Sequence, residues 1–136
     1  MQELLSHPIN RRKFINLFIC QKEPLYTKHL IYYTKVLRQR NAHLKSEFIN
    51  KNTLDILAKQ MIPSALYLQQ KRAEYIQKLS MVLTDIYQEI SENKESVNLS
   101  YIQSDIQEPI YTQEQREMDV RYKSTQIGPH RDDFQI

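Results

Sequence analysis

Apolar residues recur at three- and four-residue steps through the first ninety positions and then switch to alternation. Phe14, Leu17 and Phe18 mark a first helix over about 8–20, with Pro8 in its opening turn. "QKEP" breaks the chain, because the residue before a proline avoids the α region. Tyr26, Leu30, Tyr33, Leu37, Leu44 and Phe48 then form one stripe, which predicts a second helix from Pro24 to about Ile49. Arg40 and Asn41 stand at the two edges of that stripe and need partners if covered. After "NKNT", with Thr53 as its cap, a third periodic run from Leu54 to Ile90 predicts a helix to about Ser91, kinked or split at Pro63. The run from Ser64 to Ile90 would be about 40 Å long, close to the second helix. The expected pair is therefore antiparallel and elongated.

Past "SENKES" the period becomes two. Val97, Leu99 and Tyr101 alternate with polar residues, as in a strand. Thr112 and Gln115 have capping-box spacing for a short helix to about Tyr122. "STQI" and "DFQI" read as short strands flanking "GPHRD", where Gly128 permits a tight reversal. The expected class is mainly α: a helical arm over 1–95, and a small α/β portion over 96–136.

Composition sharpens the picture mostly by exclusion. Gly128 is the only glycine in 136 residues. A phosphate-cradling loop, G-x-x-x-x-G-K-S/T, needs two glycines and a dinucleotide fingerprint three, so neither is present. A lone cysteine, Cys20, forms no internal disulfide and fits a reducing, cytoplasmic setting. The net charge of +3 conceals a division. Residues 8–45 hold nine Lys/Arg and one acid, whereas residues 46–120 hold seven Lys/Arg and twelve Asp/Glu. Such asymmetry points to a polyanionic partner, or to pairing between the halves.

Candidate chemistry follows from that division. Lys28, Lys35, Arg38 and Lys45 fall on an arc of the second helix away from its apolar stripe. They are the candidates for contact with a DNA backbone, against the alternative of a solvated helix face. Arg11 and Arg12 in "NRRKF" suit phosphates or the carboxylates of the acidic half. "HRDD" lacks the downstream asparagine and the glycine-rich lid of a kinase catalytic loop. Its simplest reading is a local ion-pair and turn network of Arg131 with Asp132 and Asp133, alongside a docking role. No nucleophile–base pair or ligand cluster stands out, so no catalytic or metal-binding residue is assigned.

Three stretches together resemble the RecF family of bacterial DNA replication and repair proteins. "PINRRKFIN" is similar to that family's P-x-x-RR-x-F-L/I-D segment, "QKEPLYTKHLIYYTKVLRQRNAHLK" to its helix ending in QRN-x-x-LK, and "IGPHRDDF" to its GPHRDD motif. Asn16 stands where the family usually has aspartate, which affects any pairing of that position with Arg11 or Arg12.

The resemblance implies an ATP-binding-cassette protein whose nucleotide motifs lie outside this sequence. This chain would be a non-catalytic helical arm and part of the second lobe, needing no cofactor of its own; ATP and Mg would serve the larger protein. It also implies ATP-dependent DNA binding at gaps or junctions, nucleotide-driven homodimerisation, and work with RecO and RecR in loading the RecA recombinase. Arg11, Arg12, Arg40, Asn41, Gly128, His130, Arg131, Asp132 and Asp133 match motif positions and are structural or interface candidates. The alternative reading is a self-contained helical interaction module with no nucleotide or DNA role.

Overall fold

The computed structural model of the chain describes residues 6–91, 98–106 and 113–135. Helix α1 spans Pro8–Cys20, with extended His7 before it and proline in its first turn. Its core-facing residues are Ile15 and Ile19, four apart. Phe14 and Leu17, which share the helical spacing, are exposed, while Phe18 packs partly against the core. The apolar spacing therefore identified the helix without identifying its buried face.

Helix α2 spans Pro24–Leu44 and buries Tyr26, Tyr33, Val36, Arg40 and Leu44. It stops short of the expected Ile49. Ser46 donates through its hydroxyl to the carbonyls of His43 and Phe48, and the Asn50 N–H donates to His43 Nε2. These local bonds satisfy groups that a longer helix would have used. Phe48 consequently lies outside the stripe and is 83% exposed. The cap of the next helix is Asn50, not Thr53: Asn50 Oδ1 accepts the Thr53 N–H at 3.2 Å.

Helix α3 spans Lys51–Ser91 as one element of 41 residues, about 60 Å. Pro63 lies inside it and does not divide it. Met61, Ala65 and Leu68, on either side, are buried in the core, and such packing outweighs one missing backbone hydrogen bond.

The pair α2–α3 is antiparallel, as side-chain bonds show: Glu23 meets Tyr75, Tyr26 meets Arg72, and Arg40 meets the Leu54 carbonyl. The paired stretch is thus the first two-thirds of α3, not Ser64–Ile90. Matching lengths had suggested the wrong register. Beyond it, Met81, Val82, Ile86, Tyr87 and Ile90 are exposed.

Strand β1, Ser100–Ile102, pairs antiparallel with β2, Asp133–Gln135; Tyr101 lies opposite Phe134. The segment "STQI" is irregular, so the expected hairpin across "GPHRD" gives way to pairing over a longer distance. Helix α4 spans Gln113–Tyr122. It closes with Lys123 at φ 54, the left-handed conformation, and the Ser124 N–H returns to the Asp119 carbonyl. Val97 and Thr112, expected in the strand and at the cap, lie outside the described residues. Ile106 and Phe134 share one core cluster with Ile15, Tyr33, Leu68 and Ile76, so the returning segments pack directly on the helices.

Candidate nucleic-acid interface and its buried anchor

The inner face of α2 carries a chain of polar contacts. Arg40 is fully buried and forms an ion pair with buried Asp119 at 2.8 Å. It also donates to Thr125 Oγ1 and the Leu54 carbonyl. The next residue, Asn41, accepts both the Thr125 N–H and hydroxyl, each at 2.8 Å. Adjacent residues on one turn thus hold Thr125 from two sides. Asp119 in turn accepts from Gln115 and from the Gln126 N–H, which ties α4 to the same node.

Thr125 transmits this grip to the turn. Its carbonyl, which can only accept, takes a 2.7 Å bond from His130 Nε2. His130 Nε2 therefore carries the proton, and Nδ1 accepts from the Tyr33 hydroxyl at 2.7 Å. Burial pushes the His130 pKa down to about 4. Gly128 sits at φ 132, and a Cβ there would collide with the Tyr33 hydroxyl. The single glycine is needed both for the backbone conformation and for that close approach. Arg131 N–H returns to the Gly128 carbonyl at 2.9 Å, closing the turn.

The two aspartates of "HRDD" divide the work. Asp132 is buried and accepts four bonds: from Gln69, from the Tyr101 hydroxyl, and from the Ser104 N–H and hydroxyl. Asp133 makes a two-pronged pair with Arg11, at 2.7 and 2.8 Å. The Arg11 hydrogen bond holds the Asp133 pKa below the usual carboxylate range. Arg12 donates to the Asp132 carbonyl at 3.2 Å. Burial, reinforced by the charge of neighbouring Arg72, holds the Arg12 pKa below its ordinary value.

Arg131 pairs with neither aspartate. It is exposed, and among the described residues its side chain reaches Ser124 Oγ alone, at 3.3 Å. The expected local ion-pair network is therefore corrected: the aspartates serve distant partners, and Arg131 faces solvent.

The motif residues Arg11, Arg12, Arg40, Asn41, Gly128, His130, Asp132 and Asp133 thus converge on one junction. Spacing did not disclose their partners. Tyr33 read as part of the apolar stripe and Tyr101 as part of a strand, Gln69, Arg72, Ser104, Asp119 and Thr125 carried no pattern, and Asn16 binds Arg72 rather than Arg11 or Arg12. Among the described residues, no group of three or more His, Cys, Asp or Glu is placed to hold a metal ion. No helix there is long and apolar enough to cross a membrane.

The outer face of α2 differs. Lys28, Lys35, Arg38 and, one residue past the helix, Lys45 are exposed and make no ion pair among the described residues. At about 100° per residue they occupy an arc of roughly 100°, on the side away from Tyr26, Tyr33 and Arg40.

Fold and junction together define a class: a mainly α arm, cross-braced by buried polar side chains to a small antiparallel sheet. No family model matches the chain. In sequence and fold it corresponds to a segment of RecF. The DNA replication and repair protein RecF of Shouchella clausii (strain KSM-K16) is 39% identical over 142 residues, covering 93% of this chain and 38% of that protein. RecF of Clostridium perfringens (strain SM101 / Type A) is 34% identical over 133 residues, covering 93% and 37%.

Two solved structures of the recombination mediator protein RecF in the RecFOR pathway superpose on the chain. The RecF-ATPrS structure has a TM-score of 0.84 at 26% identity, covering 98% of this chain and 39% of that one. The RecF-ATP structure has a TM-score of 0.80 at 28% identity, covering 94% and 38%. The chain therefore spans about two-fifths of the length of the relatives it matches.

Proposed function

We propose that this chain is the non-catalytic helical arm of a RecF-type DNA repair ATPase, and that the outer face of α2 docks on the DNA phosphate backbone. The observation that carries the second part is the line of four exposed cations that form no ion pair among the described residues. Unpaired cations on a rigid helix suit a polyanion, because each phosphate contact releases condensed counterions. The buried junction would hold that helix at a fixed orientation to the returning β1–β2 segment.

The single glycine leaves no phosphate-binding loop in this sequence, so ATP and Mg would bind elsewhere in the full RecF-type protein. In this reading that protein is cytoplasmic, dimerises with ATP, binds gaps or junctions, and acts with RecR and RecO to support recombinase loading.

The test is binding of gapped duplex DNA by the full RecF-type protein after Lys28, Lys35, Arg38 and Lys45 are changed to glutamate. Affinity at low salt should fall at least tenfold. The slope of log affinity against log salt should shrink by up to about 3 to 4 if every residue neutralises a phosphate. Unchanged affinity and slope would remove the stripe from the interface and favour an interaction module without a DNA role.

A further inference from the structure

A second cationic feature lies at the packing of α1, α2 and α3. Arg72 on α3 is 2% exposed. Its guanidinium donates to the Tyr26 hydroxyl, the Pro129 carbonyl and Asn16 Oδ1. The Tyr101 oxygen lies beside it. All four are neutral acceptors: the Pro129 carbonyl and the Asn16 amide oxygen do not ionise, and burial raises the pKa of both tyrosine hydroxyls. Among the described residues, no carboxylate forms an ion pair with Arg72. Arg40, the other buried arginine, has Asp119. Buried charges ordinarily have a counter-charge, so Arg72 is the exception.

Arg72 forms part of the wall of a cleft of about 190 Å³, together with Arg12, Lys13, Asn16, Thr34 and His130. The polar lining is rich in donors. Arg12 uses one N–H on the Asp132 carbonyl, and Lys13 is exposed without an ion pair among the described residues. Arg72 can only donate, so the Asn16 oxygen must face it, and the Asn16 Nδ2 group is left as a further donor. The nearby carboxylates are engaged elsewhere: Asp133 by Arg11, and Asp132 by Gln69, Tyr101 and Ser104.

We infer that this cleft binds a phosphate-class oxyanion, which supplies the counter-charge that Arg72 lacks among the described residues. Arg12, Lys13 and the Asn16 amide would provide the direct hydrogen bonds, and Arg72 the buried positive field beneath them. The same chemistry is offered by free phosphate and by a phosphate of a nucleic-acid backbone. This inference rests on Arg72, Arg12, Lys13 and Asn16, none of which belongs to the outer stripe of α2.

The experiment is thermal unfolding of the protein at constant ionic strength, with chloride exchanged for inorganic phosphate, and separately with a short single-stranded oligonucleotide added. Phosphate should raise Tm saturably, by about 4 °C at ten times its dissociation constant. Asn16→Asp places a carboxylate against Arg72. That variant should melt higher in chloride and lose most of the phosphate increment, which separates site binding from the general stabilisation phosphate gives any folded protein. Arg12→Gln with Lys13→Gln should also shrink the increment. A saturable rise with inorganic phosphate alone assigns the free ion, whereas a rise only with oligonucleotide that Asn16→Asp abolishes assigns a backbone phosphate; an oligonucleotide rise that Asn16→Asp leaves intact belongs to the outer stripe and counts against the cleft. Equal melting in chloride, phosphate and oligonucleotide, or an undiminished increment in Asn16→Asp, would overturn the site.

Discussion

The two faces of α2 carry the same residue types under opposite conditions. On the inner face Arg40 is sealed from solvent and spends its charge on Asp119, Thr125 and the Leu54 carbonyl. On the outer face, two residues earlier, Arg38 is exposed and has no ion pair among the described residues. A guanidinium sealed from solvent needs a counter-charge and acceptors beside it, and it becomes part of the architecture. One left in water costs little and remains available to a partner. Charge type alone says nothing about which role an arginine takes.

The largest expected effect lies on the inner face. Arg40→Ala leaves Asp119 buried without its cation and releases Thr125, and should cost about 3–5 kcal/mol. Arg38→Ala should stay within about 0.5 kcal/mol. Urea denaturation of both variants measures the contrast, and equal losses would erase the distinction between the faces.

The next effect is a pH dependence. His130 has its pKa lowered from 6.5 to about 4, chiefly by burial. Its contribution is complete above the unfolded-state value of 6.5. It is lost as pH falls towards 4, because the unfolded chain takes up the proton first. The loss is at most about 3 kcal/mol. Unfolding free energies at intervals from pH 7 to pH 4.5 should show this decline, and His130→Gln should flatten it. An equally steep decline in the variant would assign the dependence to other groups. The smallest effect is at Arg131: Arg131→Ala should alter stability by less than about 0.5 kcal/mol, although the residue sits between two tightly held neighbours. A loss comparable to that at Arg40 would mean that its side chain has a structural load its exposure does not show.

Much of the secondary structure was legible because helical periodicity is a local property. Pro8 and Pro24 announce helix starts, and the structure places them in the first turns of α1 and α2. The misreadings share a cause. Phe14 and Leu17 have helical spacing, yet Ile15 and Ile19 face the core, since periodicity identifies a stripe but not its neighbour. The stop at Leu44 depends on the sequence-local bonds of Ser46 and Asn50 with His43, which apolar spacing does not register. Pro63 argued for a kink or a split, and core packing keeps the helix undivided. The motif residues were visible as candidates, but their partners lie 79 positions away for Arg40 and 122 for Arg11.

By itself the sequence determined that this chain is mainly helical, that it holds no glycine-rich phosphate loop, that its basic charge is concentrated early, and that it resembles RecF. Each follows from counting, spacing or motif order, which need no third dimension. The tertiary structure alone decided which arginines are buried, which aspartates they meet, where α2 registers on α3, and why Asn16 lies against Arg72 rather than Arg11. Those outcomes depend on desolvation and on contacts between residues far apart in the chain, and neither is encoded at any single position.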